Sequence, residues 1–230
     1  MPVLPGNPPV EVHLRRSARA RRFSLRVSRL DGKVTLTLPQ RAREREALGF
    51  LMAQEDWLRT TLAGMPEAAG ARVALGTTLP VEGVPLCLEP GPGRSVRVDG
   101  GRLLVPGDPA VAAVRVAAWL KTLARDRLAT ASTRYAGLVG RGYLQLTLRD
   151  TRSRWGSCSP DGRLMYSWRL ILAPPSVLDY VAAHEVAHLV EMNHSPAYWQ
   201  VVSDICPDWR RERAWLRAHG EDLHRLRFGD

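Results

Sequence analysis

Residues 184–194 read His-Glu-Val-Ala-His-Leu-Val-Glu-Met-Asn-His, and no other stretch restricts the folding and chemistry of the chain as much. On a helix, His184 and His188 stand one turn apart on one face, with Glu185 beside them and His194 just beyond. Pro174-Pro175-Ser176 supplies a helix start, and residues 177–190 are apolar on nearly every side, which predicts a buried helix. Imidazoles and a carboxylate carried into an apolar interior need partners there.

A metal ion answers that need. Zinc with catalytic work to do is usually held by three protein ligands, leaving a fourth position for water, and neutral imidazole suits it. His184, His188 and His194 satisfy that count for one divalent ion per chain. A bound zinc lowers the pKa of water from about 15.7 to roughly 7, so a neighbouring carboxylate can take the proton as the water attacks a carbonyl. Glu185 is too close in sequence to His184 for both to aim at one ion, which makes it the general base and not a ligand.

The third ligand has competitors. Asn193 can adopt a left-handed conformation, and Ser195-Pro196 reads as the cap and first residue of a following helix, so a tight turn can swing His194 back toward the metal. Glu191, Asp204 or Asp208 is the alternative, with His194 then an ordinary loop residue.

Around this motif the chain resembles the YgjP-like metallopeptidases, relatives of the SprT-like zinc proteases. The matching residues are 154–159 (Arg-Trp-Gly-Ser-Cys-Ser), 168–175 (Trp-Arg-Leu-Ile-Leu-Ala-Pro-Pro), His184-Glu185 with His188-Leu189, Asn193-His194-Ser195 and Trp199. The resemblance extends more weakly to the arginine-rich amino-terminal segment. It implies a zincin-like fold, His184, His188 and His194 as metal ligands, and Glu185 as the catalytic residue. Tyr198 departs from the phenylalanine usual there, and its hydroxyl is a candidate oxyanion donor. Arg154 and Trp155 are candidate substrate contacts, Trp155 competing with a reading as the buried anchor of a tight turn. The substrate's extended backbone is expected along an edge strand, either near 166–169 or in the 154–159 segment.

Charge is the second constraint. Net charge is +10, and residues 15–45 hold eleven Lys plus Arg against two acids. Arg15, Arg16, Arg19, Arg21 and Arg22 form a basic arm that suits a phosphate backbone; a merely solvated surface is the competing reading. The arm leads into a predicted hairpin. Phe23, Leu25 and Val27 alternate with polar residues, Asp31-Gly32 turns the chain, and Val34, Leu36 and Leu38 alternate again.

The remaining pattern predicts an α+β chain. An amphipathic helix covers 44–62, residues 64–70 connect, a small antiparallel sheet covers 73–106, and Asp108-Pro109 starts a helix running to about Tyr135. Strands around 144–148 and 164–168 precede the buried helix, and helices over 196–205 and 209–219 follow it. The expected division is a β-rich, basic amino-terminal region with a helix at 1–106 and a zincin-like metallohydrolase domain at 107–230. No internal repeat is legible.

Cys87, Cys158 and Cys206 are odd in number, the amino terminus carries no apolar signal segment, and no run approaches the roughly 20 apolar residues of a membrane helix, so a reducing cytoplasm is expected. The expected activity is hydrolysis of peptide bonds in a polypeptide substrate, including proteins associated with nucleic acid. Two alternatives stand beside it: a metal-dependent phosphohydrolase acting on nucleotides, and a non-enzymatic nucleic-acid-binding protein with structural zinc.

Overall fold

The computed structural model describes residues 2–28, 32–64 and 71–229. The chain forms two compact units, Met1–Gly70 and Ala71–Asp230.

The first unit carries β1 (Val3–Leu4), β2 (Val10–Ser17), β3 (Ser24–Val27) and β4 (Val34–Pro39), ordered β1-β2-β4-β3. Alternation drives β4: Val34, Leu36 and Leu38 are buried, and Thr35 and Thr37 face the other way. The expected hairpin forms, with β3 antiparallel to β4 from Ser24↔Thr37 to Val27↔Val34. Gly32 takes a positive φ of 66° at its end, while Asp31 lies outside the described residues. Arg15 and Arg16 do not belong to a free arm: they sit in β2, parallel to β4, where the pattern Val10, Val12 buries one face. The Arg16 guanidinium donates to the carbonyls of Gln40 and Ala42 at 3.0 and 2.8 Å.

Two helices replace the single one expected over 44–62: α1 (Glu44–Ala53) and α2 (Glu55–Ala63). Gln54, at φ −106° and ψ 12°, donates its amide to Leu51 O at 3.1 Å in a tightened turn. Glu55 and Asp56 then occupy the first turn of α2, where exposed amides favour carboxylates.

In the second unit β5 (Thr78–Val81), β6 (Val84–Pro90), β7 (Arg97–Asp99) and β8 (Arg102–Val105) follow, ordered β5-β6-β8-β7. This sheet is mixed and not purely antiparallel, since β6 and β8 run parallel. Its topology repeats that of the first unit strand for strand: an antiparallel pair, a parallel pair, an antiparallel pair. The sheet lies within the compact unit Ala71–Asp230, where it shares its core with the long helix that follows. Leu79, Leu88 and Leu103 are buried in one cluster with Val116, Leu120 and Leu128 of α3 (Ala112–Leu138).

Asp108 caps a short 3-10 turn over Pro109–Val111 by accepting from Ala110 N at 2.9 Å, and α3 continues from it. Spacings of three and four bring Val116, Leu120, Ala124, Leu128, Ala131 and Tyr135 to one buried face, each large aliphatic contributing about 1.5–3 kcal/mol. Against α3 pack α4 (Pro175–Ala187) and the 3-10 segment Trp168–Leu172. A three-stranded sheet, β9 (Gln145–Arg149), β10 (Gly156–Cys158) and β11 (Arg163–Ser167), has the order β10-β11-β9. Helices α5 (Pro196–Ile205) and α6 (Trp209–His219) close the fold and flank α4. Among the described residues no helix is long and apolar enough to cross a membrane.

Candidate metal centre

Helix α4 begins on Pro175, a position where a missing N–H leaves no bond unmade. Its buried residues cover every side: Val177, Leu178, Tyr180, Val181, Ala182, Ala183, Val186 and Ala187. His184 and Glu185 lie in its last turn, and His188 caps it at φ −67° and ψ −14°. The backbone then reverses, with Leu189 N donating to Val186 O at 2.9 Å and Glu191 N to Ala187 O at 3.0 Å. Ser195 caps α5 by accepting from Tyr198 N at 3.2 Å, and Pro196 is its first residue. His194 is thereby returned over α4. The turn does not use a left-handed Asn193, because Glu82 is the only non-glycine residue with positive φ among those described. Ser195 N donates to Asn193 O at 2.8 Å instead.

The three imidazoles converge. One nitrogen from each of His184, His188 and His194 can be chosen so that all lie within 4.8 Å of one another. The Nε2 atoms of His184 and His194 are 3.2 Å apart. Two nitrogens each about 2.0–2.1 Å from a tetrahedral ion stand about 3.3 Å apart, so this pair already has the spacing of two ligands. His188 Nδ1 donates to the Glu191 carbonyl at 3.0 Å; a carbonyl only accepts, so the proton is on Nδ1 and the Nε2 lone pair is free. Burial pushes His184 down to about 3, with His188 and His194 adding to the shift, and burial also lowers His188. Both rings are neutral near pH 7, the form a metal requires. The Nδ1 atom of His184 is buried with no hydrogen-bond partner among the described residues. An all-imidazole donor set of this kind fits a transition-type divalent ion better than magnesium or calcium, which prefer oxygen.

The competing third ligands are engaged elsewhere. Asp204 accepts from Gln200 Nε2 at 2.8 Å, Asp208 lies 3.8 Å from Arg211, and Glu191 approaches His188 only through its main chain.

Glu185 is 5% exposed, and burial raises its carboxyl to about 8 against the opposing charge of Arg154. Strand β10 lies directly over it. A Cβ built on Gly156 would stand 2.5 Å from Glu185 Oε1 and 2.6 Å from its Cγ, so only glycine leaves room for the carboxylate. Gly156 is not in the left-handed region; space alone is the requirement. Nothing in the sequence marked that approach. On its far side β10 pairs with no described strand, which makes it the sheet edge beside the site, whereas 163–167 is central.

Of the residues expected at the substrate, Arg154 is exposed beside Glu185. Trp155 is an anchor: its ring stacks on His224 at 4.8 Å and its carbonyl accepts from Ser167 N at 2.8 Å. Tyr198 is fully buried behind the imidazoles, its hydroxyl donating to the His184 carbonyl at 2.9 Å and its ring stacked on His188 at 4.5 Å. The hydroxyl therefore holds α4 and does not face the site. Tyr198→Phe should cost about 0.5–1.5 kcal/mol of stability by thermal melting, and less than about tenfold in turnover. A hydroxyl aimed at an oxyanion would instead give a loss of about 10²–10³. The Cys158 thiol is raised to about 11 by burial and takes no part in the histidine cluster.

Trp199 forms a wall that the sequence reading did not assign. Its ring lies 5.8 Å from both His184 and His194, stacks on Trp209 at 4.4 Å, and is covered by Arg213 at 4.8 Å. The spacing of Trp209 and Arg213, one helical turn apart, is the signal that was available.

His224, under Trp155, is lowered from 6.5 to about 4 by burial, with Arg169 and Arg152 adding to the shift and Asp150 opposing it. The unfolded chain therefore binds this proton first as pH falls. Stability present above about pH 6.5 should be lost progressively toward pH 4, and His224→Gln should flatten that part of the melting-temperature profile.

A mixed α+β unit that gathers three neutral imidazoles beside a buried carboxylate has the construction of a metal-dependent hydrolase. The chain belongs to the YgjP-like family, metallopeptidase domain, whose family model matches residues 21–219. Among curated proteins and among solved structures, none matches the chain significantly.

Proposed function

We propose that the chain is a zinc-dependent metallopeptidase in which His184, His188 and His194 hold the ion and Glu185 is the general base. The observation that carries this reading is the convergence of one nitrogen from each of His184, His188 and His194 to within 4.8 Å of one another, with the Glu185 carboxyl, next in sequence to His184, packed close under Gly156 of the sheet edge. Zinc held by the three imidazoles would supply a Lewis acid that polarises the scissile carbonyl and makes water acidic. Glu185 accepts the proton of the attacking water and returns it to the departing amine. His188 is held in one tautomer by the Glu191 carbonyl, and His184 is held by the Tyr198 hydroxyl through its own carbonyl. The unpaired edge of β10 binds an extended polypeptide by main-chain hydrogen bonds, and Arg154 contacts the substrate or its developing oxyanion.

Proteins associated with nucleic acid are the substrates that the charge favours. Arg15, Arg19, Arg21 and Arg22 are exposed in the first unit, in a chain of net charge +10.

Metal content by mass spectrometry on freshly purified protein tests the centre. The expected result is near one zinc per chain in the wild type and a sharp reduction in His194→Ala. Zinc retained in the variant would move the third ligand elsewhere. Metal in neither would overturn the enzyme reading in favour of a binding protein. A nucleoside-triphosphate screen separates the phosphohydrolase alternative, since the peptidase reading expects peptide cleavage alone.

A further inference from the structure

On the opposite side of the three-stranded sheet from β10 lies a cavity of about 420 Å³, lined by Lys121, Thr122 and Arg125 of α3, Arg149 at the end of β9, Asp150 and Trp168. Lys121 and Arg125 are four apart on one helical face, where like charges repel. Neither they nor Arg149 has an acidic partner within ion-pair distance among the described residues. The single carboxylate at the cavity, Asp150, is already taken: Arg169 donates to both of its oxygens, at 2.6 and 3.1 Å. Three cations thus face one cavity with no anion left to balance them among its described lining residues.

We infer that this cavity is a phosphate-binding site. A carboxylate ligand is satisfied by one arginine, whereas three converging cations match the charge and the several oxygens of a phosphate. The volume lies within the range of small-molecule sites and exceeds what a bare phosphate fills, which points to a phosphate ester. Leu148 gives the cavity an apolar wall for the remainder of that ester, and Lys121 already lies 5.7 Å above the Trp168 ring. The segment leaving Arg149 carries Arg152 and Arg154 before it reaches Gly156, so further basic residues lie between this site and the sheet edge at Glu185. The inference is independent of the peptidase reading, because binding is measured without turnover.

The test uses the full chain with two probes, a fluorescein-labelled single-stranded oligothymidylate followed by anisotropy and thymidine 5′-monophosphate followed by calorimetry. Lys121→Gln/Arg125→Gln/Arg149→Gln is compared with Arg94→Gln/Arg97→Gln/Arg102→Gln, which removes the same charge from exposed positions elsewhere in the unit. The cavity variant should bind oligonucleotide at least tenfold more weakly, and its slope of log K against log salt should flatten by about 2; the control should stay within twofold. Mononucleotide binding lost in the same variant would name free nucleotides as the source, and oligonucleotide binding alone would name the polymer. If the triple variant melts early, Arg125→Gln alone should weaken binding at least threefold. Absence of binding to both probes in the wild type, or equal weakening in cavity variant and control, overturns the inference.

Discussion

Glu185→Gln should lower kcat for peptide hydrolysis by about 10²–10⁴-fold while the metal content stays at its wild-type level. The carboxamide has nearly the same volume, so the contact with Gly156 and the burial in α4 are kept. What it loses is the ability to accept a proton, which no neighbour can replace: Tyr198 is committed to the His184 carbonyl, the Cys158 thiol is raised by burial, and Arg154 is a cation. Because the three histidines are untouched, metal analysis separates loss of base from loss of ion. KM should change little, since a group that acts only as the proton moves contributes little to ground-state binding. A variant with wild-type turnover would remove Glu185 from the mechanism. A variant that also loses its metal would show that the carboxylate supports the ligand set.

The parts of the fold governed by local periodicity were legible in the sequence, and those governed by distant proximity were not. The double proline at 174–175 and the apolar run after it marked the start of α4, and the spacing of His184 and His188 placed them on one face. The alternation through 23–38 marked the hairpin of β3 and β4. His194 converges with the other two because the chain reverses after Ala187, a turn that residue types allow but do not dictate. The packing of the 78–105 sheet onto α3 was not legible, because apolar side chains at Leu79, Leu88 and Leu103 carry no label for the partner they pack against. The shared topology of the two four-stranded sheets left only a short trace in the sequence: Val10, Val12 and Leu14 of β2 match Val84, Leu86 and Leu88 of β6, and Leu25-Arg26-Val27 before Asp31-Gly32 matches Val96-Arg97-Val98 before Asp99-Gly100, but so few residues do not reveal how the strands pair. Tyr198 shows the same limit at the site. Its hydroxyl suited an oxyanion on chemical grounds, and packing turned it toward a backbone carbonyl instead.

Gly156→Ala should reduce kcat/KM by about 10²-fold with the metal retained, a large effect for one added methyl group. Ordinary carbon contacts lie at about 3.5–4.0 Å. The new Cβ would begin at 2.5 Å from Oε1, 2.6 Å from Cγ and 2.8 Å from Cδ of Glu185, so the strand or the carboxylate must move by about 1 Å. Strand β10 is held by its pairing with β11 through Gly156↔Tyr166, and Tyr166 is itself fixed in the core with its hydroxyl 3.0 Å from Ser132 Oγ. Glu185 is held on a helix buried on every side. Neither side yields freely, and a displacement of about 1 Å at a proton-transferring group is enough for a 10²-fold loss. Overpacking should also lower stability by about 1–3 kcal/mol, so the activity must be measured well below the melting transition of the variant. Ser157→Ala, one residue along the same strand, is the control that should keep activity within a few-fold. Equal losses in the two variants would mean that the strand as a whole, and not the clearance over Glu185, sets the rate.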